Sequence, residues 1–110
     1  NLALLLSKQG KHDEALRYAE SAVKVRGLKA HNHYTLGRVA LAAGDLRRAE
    51  GGLRRAEALR PGQLRTQLAW IELELRQGKR AAARKRYDEL RRRPGAQRDP
   101  RLRALGAQLR

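Results

Sequence analysis

The chain has 110 residues, no cysteine, and 26 Lys plus Arg against 11 Asp plus Glu, for a formal charge of +15 at pH 7. That length fits one domain, and the lack of Cys excludes a disulfide framework, thiolate chemistry and Cys-based metal sites while fitting either redox compartment. The longest apolar run, Leu2-Ala3-Leu4-Leu5-Leu6, falls far short of the ~18 residues a membrane-crossing helix needs and lacks the basic lead and cleavage pattern of a signal peptide.

In chain order, the apolar spacing predicts helices near residues 2–9 and 12–25, with Gly27 ending the first pair. Asp13 and Glu14 stand near the start of the second helix, where acidic groups favour the amide dipoles. Over 31–43, Leu36, Val39, Ala40 and Ala43 recur at helical spacing, and Gly44 is expected to stop the helix at positive φ. Asp45 offers a cap for a helix over 46–59, with its stripe of Leu46, Ala49, Leu53, Ala56 and Leu59, closed by Pro61-Gly62. Further helices are expected near 64–77 and 80–92, ended by Pro94-Gly95, and near 100–109, with Asp99 as cap and Pro100 in the first turn. Leu102, Leu105 and Leu109 give that last helix one stripe, which suits either a cap over the preceding pair or the first helix of another pair. Gly51-Gly52 conflicts with its helix, since each Gly costs ~1 kcal/mol relative to Ala. It reads as a crowded contact with a neighbouring backbone rather than a hinge.

Gly10, Gly44 and Gly78 stand 34 residues apart, with Ala15, Ala49 and Ala83 in register behind them. Leu2, Leu36 and Trp70 form a third column, and Ala22, Ala56 and Leu90 a fourth. Four columns at one period indicate like units, each burying its apolar face against its neighbours. The units run 1–29 (incomplete at its start), 30–63 and 64–97, followed by 98–110. An opening at Asn1 within an apolar helical pattern suits a fragment of a longer repeat protein.

These columns resemble the tetratricopeptide repeat, over residues 1 to about 96. The second unit carries the likeness best, through Leu36-Gly37, Gly44-Asp45, Ala49, Leu53, Ala56 and Pro61. The first has Gly27 in place of the usual proline; His33 and Glu74 stand where Trp and Tyr are common. The resemblance implies an all-α, right-handed α-solenoid of three helix-turn-helix repeats plus a C-terminal capping helix. It also implies a concave groove lined by the first helix of each repeat. Lys8 (with Leu4 and Ser7), His31, Tyr34, Thr35, Arg38, Leu41, Arg65, Leu68, Glu72 and Arg76 (with Ala69 and Leu75) are the groove candidates by helical phase. Four basic residues against one acidic suit an acidic peptide or protein partner. The family's carboxylate clamp is not matched, since Thr35 and Ala69 occupy two of its places and only Arg65 fits.

A non-catalytic scaffold for protein–protein contact is therefore expected, with no cofactor or metal. Proteins of this kind often serve bacterial envelope machinery such as pilus assembly or exopolysaccharide export; cytoplasm and periplasm both fit. His31 and His33, two apart on a helix, face different directions and make a poor metal pair, as Glu72 and Glu74 make a poor carboxylate pair. The alternative is electrostatic binding of nucleic acid, acidic lipid or polysaccharide through outward Arg rows: Arg47, Arg48, Arg54 and Arg55, then Arg80, Arg84, Lys85, Arg86 and Arg91 to Arg93. Nucleic acid would also need stacking platforms, and only Tyr18, Tyr34, Trp70 and Tyr87 are aromatic, the last two in core columns. Twenty Arg against six Lys equally fit the bias of a GC-rich genome.

Overall fold

Helices form where apolar spacing and caps place them: α1 (Leu2–Lys8), α2 (His12–Val25), α3 (Ala30–Ala43), α4 (Leu46–Leu59), α5 (Leu64–Arg76), α6 (Arg80–Arg91) and α7 (Pro100–Gln108). The computed structural model describes all 110 residues, Asn1–Arg110, and contains no strand. Asp45 Oδ1 accepts the Arg48 amide at 3.1 Å, and Asp99 Oδ1 accepts those of Arg101 (2.8 Å) and Leu102 (3.4 Å). Both carboxylates thereby satisfy amides that a helix start leaves without intrahelical partners. A 3-10 turn over Ala96–Arg98, in a stretch where the spacing predicts no element, joins α6 to α7.

Gly10, Gly44 and Gly78 have φ of 80°, 82° and 76°, a region that costs glycine little and other residues much. Around each, the same two hydrogen bonds close the preceding helix. The glycine N–H donates to Ser7, Leu41 or Leu75 at 3.0, 3.1 and 3.2 Å, and the next residue's N–H donates to Leu6, Ala40 or Glu74 at 2.9, 2.9 and 2.8 Å. This is a Schellman closure, made three times at one period. Ala15, Ala49 and Ala83, which follow in register, are each 0% exposed.

The chain divides into two compact units, residues 1–63 and 64–110. In the first, α1 packs on α2 and α3, α2 on α3, and α3 on α4. Ala3, Leu6, Ala15, Ala19 and Val39 form a buried cluster there, with Leu16 and Leu36 against it. The α3–α4 crossing is tight. A Cβ placed on Gly52 would stand 2.8 Å from the Gly37 nitrogen and 2.9 Å from the His33 carbonyl oxygen, and one on Gly37 would meet Leu53 at 2.9 Å. Crowding thus accounts for Gly52. Gly51 has nothing within 4 Å of its missing Cβ, and nothing in the structure explains a glycine there.

In the second unit α5 packs on α6, and α7 lies against both. Leu102, Leu105 and Leu109 join Leu68, Ile71, Ala83, Leu90 and Ala96 in one buried cluster. α7 stands to α5 and α6 as α3 stands to α1 and α2, so its packing suits the first helix of a further pair as well as a cap.

One expected core column is corrected. Leu2 is 49% exposed, and Leu36 and Trp70 are only half-buried. The next position along, Ala3, Gly37 and Ile71, is buried every time, because helical phase turns that residue, not the larger one before it, towards the interior. No helix is long and apolar enough to cross a membrane.

Candidate functional site

The first helices of the pairs supply the surface in question. In the first unit, the Asn1 Nδ2 group donates to Thr35 Oγ1 at 3.1 Å and lies 3.3 Å from His31 Nε2. Asn1 also caps α1, its Oδ1 accepting the Leu4 amide at 3.4 Å. Asn1 and Thr35 stand one 34-residue period apart, so the residue that caps α1 touches its repeat equivalent within α3. Lys8 and His31 are exposed and Arg38 is half-buried, whereas Tyr34, Thr35 and Leu41 are buried, at 5%, 4% and 3% exposure. Those three offer a partner almost no area. His31 and His33 do face apart: His33 is buried, its Nε2 2.8 Å from the Gly27 carbonyl oxygen.

In the second unit, Glu72, Leu75 and Arg76 of α5 line an open depression of about 390 Å³ with Gln108 of α7. Arg76 is exposed, Arg65 and Glu72 are half-buried, and Leu68 is buried in the apolar cluster. Of the candidates, the polar ones left accessible are Lys8, His31 and Arg38 in the first unit and Arg65, Glu72 and Arg76 in the second, while Leu2 and Leu5 of α1 are exposed as well.

No family model, curated protein or solved structure matches the chain.

Sequence reasoning missed the polar cluster that joins α5 to α6. Glu74 is 8% exposed and carries a fork from Arg86, Nε to Oε1 at 3.0 Å and Nη2 to Oε2 at 3.3 Å. Arg86 Nη1 also donates to Gln67 Oε1 at 2.6 Å, and the guanidinium lies 5.4 Å from the Trp70 ring centroid, within cation–π range. A charge this buried persists only when paired and hydrogen-bonded, and here every partner is present. One signal was legible: Gln67 and Glu74 are seven residues apart, two turns on one helix face. The cluster ties α6 to one face of α5. Gln108 was missed for a different reason, since only the docking of α7 brings it beside Glu72 and Arg76.

Proposed function

We propose that this chain is a non-catalytic scaffold that holds an acidic protein or peptide segment. In this reading its helix pairs are tetratricopeptide-like repeats, stacked as a right-handed solenoid, and their first helices form the receiving surface. The observation that carries it is the hydrogen bond between Asn1, which caps α1, and Thr35 of α3, residues in the same repeat column. Side-by-side packing of successive first helices puts such residues in contact. The thrice-repeated glycine closure and the fully buried alanine column support the same arrangement. The accessible charged side chains of α1, α3 and α5 are Lys8, Arg38, Arg65 and Arg76 against Glu72, a mostly basic set that suits carboxylates along a bound segment.

An array of acidic helical and extended peptides supplies the ligand, read by fluorescence anisotropy. The combination Lys8→Ala, His31→Ala and Arg76→Ala removes only exposed side chains. It should weaken a selected peptide by about tenfold or more, a loss of roughly 1.4 kcal/mol. Arg47→Ala with Arg55→Ala, on the exposed face of α4, should leave binding nearly unchanged. Equal loss from both sets, with affinity collapsing as salt rises, would instead mark a polyanion binder and refute the groove.

A further inference from the structure

Residues 64–110 hold 14 Lys and Arg against five acidic residues, and part of that charge is gathered into a shaped site. Where α6, the 3-10 turn and α7 meet, an open cleft of about 280 Å³ is lined by Tyr87, Arg91, Arg92, Gln97, Leu102 and Arg103. No acidic residue lines it. Its accessible non-polar wall is the half-buried Tyr87, since Leu102 is itself 1% exposed. Gly106 allows that ring its place, because a Cβ there would collide with the Tyr87 hydroxyl. Gln97 Nε2 donates to the Arg91 carbonyl oxygen at 2.6 Å, tying the turn to the end of α6.

The arginines are not equally committed. Arg91 shares Asp88 at 3.8 Å. Arg92 and Arg103 are exposed and engage no carboxylate. Two uncommitted guanidinium groups beside the Tyr87 wall ask for a ligand with two negative charges and an aromatic or non-polar body.

We propose that this cleft binds a phosphate monoester carried on an aromatic or apolar group. Such an ester bears about −1.5 to −2 charges at pH 7, which two arginines balance. Its oxygens match the planar guanidinium fork. A single carboxylate would leave one arginine unmatched, and bare phosphate would leave the accessible side of Tyr87 uncovered, whereas small-ligand sites combine apolar walls with a few placed polar groups. The site stands apart from the scaffold reading and needs none of it.

Calorimetric titration of the intact chain with phenyl phosphate tests this. Saturable one-to-one binding is expected, tighter than for inorganic phosphate and weakening as pH falls below about 6, where the dianion takes up a proton and loses one of its two charges. Arg92→Gln with Arg103→Gln should weaken binding by at least about tenfold, while Arg47→Gln with Arg55→Gln, removing equal charge from α4, should change it less than about twofold. Adenosine monophosphate and O-phosphotyrosine then separate the sources, a nucleotide or a modified protein side chain, by which one binds tighter. Equal weakening by both arginine pairs, inorganic phosphate matching phenyl phosphate, or no saturation at all would overturn the proposal.

Discussion

Two adjacent glycines in α4 should respond in opposite directions to one added methyl group. A Cβ on Gly52 would meet three backbone atoms of α3: the Gly37 nitrogen at 2.8 Å, the His33 carbonyl oxygen at 2.9 Å and the Gly37 Cα at 3.0 Å. Backbone atoms cannot swing aside as a rotamer can, so ordinary contact near 3.4 Å would require the helices to part by about 0.6 Å. Overpacking of that kind typically costs about 1–3 kcal/mol, against the ~1 kcal/mol that alanine gains over glycine in a helix. A Cβ on Gly51 meets nothing within 4 Å and keeps the helical gain alone. The propensity contribution is shared, so the difference between Gly51→Ala and Gly52→Ala isolates the crossing. It should fall near 1–3 kcal/mol in favour of Gly51→Ala. Urea unfolding followed by circular dichroism at 222 nm measures it, each variant referred to the parent chain. A Gly52→Ala protein as stable as Gly51→Ala would refute the close approach of α3 and α4.

Two further outcomes test the packing. Ala49→Leu places a large side chain at a fully buried position and should cost about 1–3 kcal/mol by overpacking; an unchanged melting temperature would contradict the assignment. For Glu74 and Arg86, the side chains retain 11% and 30% exposure, so Glu74→Ala should cost about 1–3 kcal/mol, below the 3–5 typical of a fully buried pair. Adding Arg86→Met to Glu74→Leu should recover much of the loss in a double-mutant cycle. Additive losses would show that the two do not act together.

Much of the helical layout was legible because its signals are local. Gly44 and Asp45 mark the end of one helix and the start of the next by backbone freedom and side-chain reach, and both do so within a residue of the expected place. The inward-facing residue was harder. Leu2 and Trp70 are large and apolar, yet the smaller Ala3 and Gly37 and the branched Ile71 take the interior, since the closeness of a crossing depends on the helix opposite. The same limit affected the candidate surface. Tyr34 and Leu41 share the helical phase of Arg38, but phase gives a direction and not the depth of cover above it. The polar join of α5 to α6 was hidden because Glu74 and Arg86 lie on separate helices, and a sequence period within one helix carries no information about its neighbour.

That join has a consequence for how this chain can change over time. Greasy contacts forgive exchange of one aliphatic residue for another of similar bulk, so most crossings here can drift one residue at a time. The Glu74–Arg86–Gln67–Trp70 set behaves like a keyed lock: altering any tooth leaves the others in a place where water relieves them only in part. Substitutions at those four positions should therefore travel together among descendants of this sequence.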